Sequence, residues 1–219
     1  MKSTNTEQSE KIAKILFEIG AVTFSRNRPF RFDSGLLSPV YVDNRILISY
    51  PKERKLVIAE LLKLIKDKVS KFDVVAGVAT AGIPHAAWIA DKLNKPMIFV
   101  RSKPKDHGKG QQVEGKLSRG QRVLVIEDLI STAGSSKRVI EAIRAQGGVV
   151  SDEVAIYSHN LKEADKNMSQ VKVKLHNLTD TKTTALYAKE KGFLNQNHAD
   201  IVLDWAKDPQ NWAKKMGFE

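Results

Sequence analysis

The chain has 219 residues, of which 36 are Lys or Arg and 25 are Asp or Glu, for a formal net charge of +11. There is no cysteine, which excludes disulfides, thiolate zinc sites and cysteine nucleophiles. Hydrophobic residues make up 42%, as in a soluble globular protein, and no apolar run reaches the ~20 residues that a membrane span needs.

This length suits one α/β domain over 1–219. The start, MKSTNTEQSEK, is polar and lacks the apolar core of a secretory signal, so the cytoplasm is the expected compartment. The basic balance fits a nucleic-acid partner, an anionic small substrate or a solvated lysine-rich surface, and charge alone does not choose among them.

Glu7 to Gly20 reads as a helix, with Ile12, Ile15, Leu16 and Ile19 on one face. In FRFDSGLLSPVYVDNR, residues 30–45, Ser34-Gly35 and Ser38-Pro39 mark turns, and Val40 to Val42 reads as extended. Pro51 opens a helix to about Ser70. Phe72 to Ala79 is the first strand of a central sheet. It runs into Gly77-Val-Ala-Thr-Ala-Gly82 and a helix from about Ile83 to Leu93. That loop is either a tight βα turn, which takes glycine for backbone reasons alone, or an anion site.

Met97 to Val100 is another short strand. Residues 101–121 then lack an apolar pattern, and Arg101, Lys103, Lys105, His107 and Lys109 alternate there with small or polar residues. A stretch of this kind is a charged surface loop or a mobile cationic lid over a polyanion. Beyond it, Glu153 to Tyr157 and Val171 to Leu175 read as strands. Helices follow at about Thr183–Lys191, His198–Lys207 and Gln210–Met216. Trp88, Trp205 and Trp212 read as packing residues. His85, His159, His176 and His198 have no metal-ligand spacing and read as structural or surface residues.

The most informative segment is Val123 to Ser136. An apolar strand, Val123 to Ile126, leads to the carboxylates Glu127 and Asp128, then to Ser131-Thr132-Ala133-Gly134-Ser135-Ser136. A helix with Val139, Ile140 and Ile143 on one side follows, ended by Gly147-Gly148. Small hydroxylated residues entering a helix expose backbone N–H groups at its positive end, which suits phosphate. Ionised carboxylates only accept hydrogen bonds, so the pair suits a diol. A ribose 5-phosphate carries both groups.

This segment resembles the phosphoribosyl-pyrophosphate (PRPP) signature of the type I phosphoribosyltransferases, which often carry Gly where Ala133 stands. Three further segments are similar to those of orotate phosphoribosyltransferases: Val100 to Gly108 to the catalytic loop, Phe32 to Arg45 to the N-terminal hood, and Gly77 to Pro84 to the pyrophosphate loop. The resemblance implies a central parallel sheet flanked by helices. It also implies a hood subdomain mainly from about 20–50 and a mobile catalytic loop over about 101–116. It implies a homodimer in which Arg101, Lys105 and His107 meet pyrophosphate in trans, with Thr80, Ala81 and Gly82 binding it in cis. By the same resemblance Glu127 and Asp128 hold the ribose hydroxyls, the 5-phosphate sits in the stretch Leu129, Ile130, Ser131, Thr132, Ala133, Gly134 and Ser135, and orotate lies near Ser131, Asn44 and Arg45.

The implied reaction is orotate plus PRPP giving orotidine 5′-phosphate and pyrophosphate. Mg²⁺ is expected on substrate oxygens, with no direct protein ligand, and Lys105 and Asp128 are the expected catalytic residues. Some members carry Lys where Asp33 stands and a basic residue at Ser102, so those roles do not transfer. Some place an orotate-carboxylate Arg where this chain has Ser158-His159-Asn160, which leaves Arg45 as the candidate. Neither a helix-turn-helix nor an RNA-recognition motif is found outside these segments, so neither nucleic acid nor a membrane is an expected partner.

Overall fold

The computed structural model describes residues 6–25, 28–32, 35–101 and 112–218. Lys105 and His107, like Asp33 and Ser102, lie outside the described residues.

In chain order the elements are α1 (Thr6–Glu18), β1 (Val22–Phe24), β2 (Phe30–Arg31), β3 (Leu37–Ser38), β4 (Val40–Val42), a short 3-10 helix (Asn44–Ser49), α2 (Pro51–Lys68), β5 (Val74–Val78), α3 (Gly82–Leu93), β6 (Met97–Val100), β7 (Val113–Glu114), β8 (Arg122–Ile130), α4 (Gly134–Ala145), β9 (Val149–Ser158), α5 (Lys162–Gln170), β10 (Lys174–Asp180), α6 (Thr181–Glu190), α7 (Gln196–Lys207) and α8 (Pro209–Lys215).

The central sheet has the order β10-β9-β8-β5-β6-β7. Its pairings are parallel except β6 with β7, which is antiparallel. Successive strand side chains point to opposite faces, and this alternation builds two apolar layers. Val75, Leu124, Ile126, Val154 and Ile156 face a core shared with α1, α2, α3 and the C-terminal helices. Val74, Ala76, Val123, Val125 and Ala155 face α4 and α5 through Val139, Ile140, Ile143, Ala164 and Met168. Strands covered on both sides read as nearly continuous apolar runs, which is why β5 and β8 stand out in the sequence. Near the N-terminus, β1 pairs with β4 and β2 with β3, both antiparallel.

Several boundaries differ from the sequence reading. β8 continues past Ile126 to Ile130, because β9 goes on pairing with it through Leu129↔Tyr157 and Ile130↔Ser158. Glu127 and Asp128 therefore sit within a strand. The strand read at Val171 to Leu175 is displaced: Lys172 turns with φ 53, and β10 runs from Lys174 to Asp180 against β9. Its polar residues are tolerated because this edge of the sheet is only half covered. α5 breaks no apolar rule, but its buried face is only Ala164 and Met168, too sparse to signal a helix. Val113–Glu114, inside the stretch read as patternless, adds a short edge strand to β6. Trp205 and Trp212 pack in the core as expected, with Trp205 Nε1 donating to the Leu37 carbonyl at 2.9 Å.

Candidate active site

β5 sends its chain onward to β6 on one side, while β8 sends its chain to β9 on the other. Ligands of open parallel sheets settle in the crevice beyond the carboxyl ends of strands at such a reversal. The turn into α3 and the turn into α4 both lie there.

The two turns share an N-terminal feature. α4 is entered through Ala133 and α3 through Ala81, and neither residue gives a side-chain cap. By contrast, Asp180 caps α6 by accepting from Thr183 N, and Asn195 caps α7 by accepting from His198 N. The first N–H groups of a helix lack intrahelical partners, which makes the entrance to α4 a place for an anion, while at α3 Ile83 N already donates to the Thr80 carbonyl at 3.3 Å.

Ala133 holds a left-handed conformation, φ 59, at the point where the loop enters α4. Asn167, on α5, steadies the loop by donating to the Thr132 carbonyl at 2.8 Å. At α3 the need is space. A Cβ on Gly82 would stand 2.5 Å from the Ile126 carbonyl oxygen and 3.3 Å from Glu127 Oε1. The glycine lets the start of α3 lie against the end of β8.

A cleft of about 590 Å³ opens between these turns. It is lined by Ala81, Glu127, Asp128, Leu129, Ile130 and the loop from Ser131 to Ser136, together with Arg31, Phe32, Tyr41, Val42, Asp43, Arg45 and His159. A larger groove of about 1000 Å³ runs elsewhere, beside β10 and α6, and carries none of the residues expected to hold substrate.

Glu127 is buried, and its Oε1 accepts from the Asp128 backbone N at 2.9 Å. Burial, reinforced by the Asp128 charge next door, pushes its carboxyl well above the usual range. Asp128 is also raised by burial, an effect offset in part by a hydrogen bond from the Glu127 side chain. Two buried carboxylates this close do not both ionise readily, so the pair takes up a proton at a higher pH than free carboxylates do. It offers a ribose both a charged acceptor and a carboxyl able to donate.

The other expected residues are placed as follows. Thr80 and Gly82 flank Ala81 in the turn after β5, where the Ala79–Thr80 peptide is cis. Arg101 follows β6, its Nε 3.5 Å from Glu114 Oε1. Asn44 is fully buried, and its Nδ2 donates to the Asp128 carbonyl at 2.8 Å, so it reaches the end of β8 from behind the cleft. Arg45 lines the cleft with its guanidinium already occupied: Nε donates to Asp43 Oδ1 at 2.6 Å and Nη2 to Asp43 Oδ2 at 2.9 Å. That contact holds the Asp43 carboxyl below its ordinary value and raises Arg45.

Arg31, Phe32, Tyr41 and His159 are cleft residues that sequence reasoning did not assign. Phe32 and Tyr41 lie in the segment likened to the hood without a role of their own, and His159 joins Arg31, Phe32 and Tyr41 only because the fold brings the end of β9 to them. His159 alone carried a hint, since it stands at the place where the resemblance expects an Arg.

Residues 50–188 match the phosphoribosyl transferase domain family. The chain is 47% identical over 205 residues to the orotate phosphoribosyltransferase of Coxiella burnetii, covering 94% of this chain and 98% of that protein. It is 44% identical over 209 residues to the protein of the same name from Enterococcus faecalis, covering 95% and 100%. Among solved structures, the orotate phosphoribosyltransferase from Aeropyrum pernix aligns with a TM-score of 0.70 at 31% identity, covering 84% of this chain and 99% of that one.

Proposed function

The chain belongs to the phosphoribosyl transferase family, and within it to the orotate phosphoribosyltransferases, and from that premise we propose that it transfers the 5-phosphoribosyl group of PRPP to N1 of orotate. The products are orotidine 5′-phosphate and pyrophosphate, and the transfer serves pyrimidine biosynthesis. The observation that carries this reading is the cleft itself, in which a carboxylate pair and an uncapped, small-residue helix entrance stand side by side.

In the reaction, orotate N1 bonds to C1′ as the bond from C1′ to the pyrophosphate oxygen breaks. Negative charge grows on the leaving pyrophosphate and positive charge on the ribose ring. The loop Ser131 to Ser135 anchors the 5-phosphate through backbone N–H groups and hydroxyls. Asp128, with Glu127 beside it, takes the ribose hydroxyls and places negative charge under the cationic ring. The turn Thr80-Ala81-Gly82 meets the pyrophosphate, and Arg101, Lys105 and His107 neutralise it. No covalent nucleophile is needed, because positioning and fixed charge do the work.

Mg²⁺ fits this donor set as a companion of the substrate. Among the described residues no group of three or more His, Asp or Glu side chains gathers into a metal cage. The ion would be carried on PRPP oxygens and water, with no direct protein ligand. When bound, it would add positive charge at the departing pyrophosphate.

We assign the working form to a homodimer in the cytoplasm, with residues 101–116 of each copy serving the other's cleft. Ile48, Tyr50 and Leu56 are exposed along the 3-10 helix and the start of α2, which supports an apolar contact there with a second copy. Among the described residues no helix is long and apolar enough to cross a membrane.

The test is orotate consumption followed by ultraviolet absorbance, with adenine, hypoxanthine and uracil as parallel substrates. The expected result is loss of orotate signal that requires both PRPP and Mg²⁺. Turnover of another base in place of orotate would overturn the base assignment while leaving the PRPP site in place.

A further inference from the structure

The loop that enters α4 lies against α5. Thr132 and Ala133 are among the residues that line the cleft, and no residue of α5 is. α5 therefore stands behind the loop. From there Asn167 Nδ2 donates to the Thr132 carbonyl at 2.8 Å. Lys137, in the first turn of α4, also reaches α5, its Nζ donating to Gln170 Oε1 at 2.6 Å.

The bond from Asn167 orients a whole peptide. The Thr132–Ala133 bond is trans, since Ala79–Thr80 is the one cis bond among the described residues. In a planar trans peptide the C=O and the following N–H point in opposite directions. A Thr132 carbonyl drawn back to α5 thus turns the Ala133 N–H away from α5, towards the cleft. No backbone acceptor takes that N–H among the described residues.

Left to itself, this peptide has a reason to turn over. Ala133 sits at φ 59, which is unfavourable for a residue with a Cβ. Half a turn of the Thr132–Ala133 plane would return Ala133 to an ordinary negative φ. It would also aim the Thr132 carbonyl, which can only accept, at the place where the 5-phosphate is expected. The neighbouring Gly134 does not block such a turn, because even an added Cβ there would meet nothing closer than 3.6 Å.

Resting on the PRPP reading above, we propose that Asn167 is a positioning residue: by holding the Thr132–Ala133 peptide it keeps the Ala133 N–H presented to the 5-phosphate of PRPP and of the nucleotide product. Asn167 acts through the loop and touches neither substrate. Its influence is confined to the two reactants that carry that phosphate.

The experiment is steady-state kinetics in both directions for wild type, Asn167→Leu, Asn167→Asp and Asn167→Gln, with urea denaturation of each. Asn167→Leu removes the donor at similar volume. KM should rise about threefold to tenfold for PRPP, and by the same factor for orotidine 5′-phosphate in the reverse reaction, the range for one hydrogen bond. KM for orotate and for pyrophosphate, which lack the 5-phosphate, should stay within about twofold, with kcat little changed. Asn167→Asp sets an acceptor against the Thr132 carbonyl and should raise the same two constants further. Asn167→Gln keeps an amide donor and should recover most of the loss. The position is only half-buried, so the urea midpoints should stay close to that of wild type.

Unchanged KM for PRPP and orotidine 5′-phosphate in Asn167→Leu and Asn167→Asp overturns the proposal. A like rise for all four reactants, with Asn167→Gln no better than Asn167→Leu, also overturns it, by making the bond merely structural. Wild type that uses another base in place of orotate overturns the orotate reading alone, and the same variants are then read on PRPP and that base's nucleotide. Wild type that fails to bind PRPP in a calorimetric titration overturns the reading of the cleft, and this role with it.

Discussion

Asn44 Nδ2 donates to the main-chain carbonyl of Asp128 at 2.8 Å, so a residue of the N-terminal segment ties down the end of β8 where the carboxylate pair sits. Asn44 is fully buried. Replacing it with Ala leaves the Asp128 carbonyl short of a partner in a closed space. The expected loss is about 2 kcal/mol of unfolding free energy by urea denaturation. KM for PRPP should rise severalfold as well, because the carboxylates lose a fixed base. A variant equal to wild type in both measurements would show that the bond carries no weight.

Ala133 is held at φ 59 where the loop enters α4. For a residue with a Cβ this costs about 1–2 kcal/mol, which Gly would recover. Gly would also lose a buried methyl, worth about 0.8 kcal/mol, and make the unfolded chain freer by about 0.4–1 kcal/mol. These effects nearly cancel, so Ala133→Gly should shift stability by less than about 0.5 kcal/mol. Ala133→Val puts a branched side chain into the same conformation and should cost more than about 2 kcal/mol, because β-branched residues are outliers there. Denaturation of the two variants side by side checks the contrast.

Glu153 lies on β9 with no exposure, and neither carboxyl oxygen meets a partner at full hydrogen-bond geometry among the described residues. Burial pushes it up to about 7, against its ordinary 4.5, with a smaller opposing influence from the Ser136 hydroxyl. The folded protein therefore keeps a proton that the unfolded chain releases first. Stability from this group is complete below pH 4.5, falls as pH climbs towards 7, and is level above that. The loss across the window is on the order of 3 kcal/mol. Glu153→Gln removes the titration, so the variant should gain about that much on wild type between pH 5 and pH 8. Urea denaturation at the two pH values measures it, and parallel curves would refute the buried proton.

Lys105 is the cation to which the resemblance assigns the leaving pyrophosphate. If its contact forms chiefly in the transition state, Lys105→Ala should lower kcat about a hundredfold, comparable to losing one strong donor at a developing charge. KM for PRPP should change far less. Steady-state kinetics separate the outcomes: a KM effect with kcat preserved would place Lys105 in ground-state binding.

Some of this was written locally in the sequence. The apolar runs of β5 and β8 are covered on both faces, so composition alone announces them as buried parallel strands. The small-residue run Ser131 to Ser136 and the neighbouring Glu127 and Asp128 are contiguous, and their chemistry is local enough to suggest phosphate and diol. Gly82 could also be read as a turn glycine. That it is needed for contact with the Ile126 carbonyl required the packing of α3 on β8.

Other features depend on elements that meet only in the fold. The extension of β8 to Ile130 is decided by its pairing with β9, and no periodicity in residues 127–130 signals it. The placing of β10 is decided by a half-covered sheet edge that accepts polar residues. Asn44 reaches Asp128 across 84 positions. The sequence by itself determined the strand, the loop and the carboxylates, because backbone propensity and local charge act between near neighbours. Only the tertiary structure decided which buried polar groups have partners and which are left for a ligand, because hydrogen bonding and desolvation depend on what the fold brings alongside.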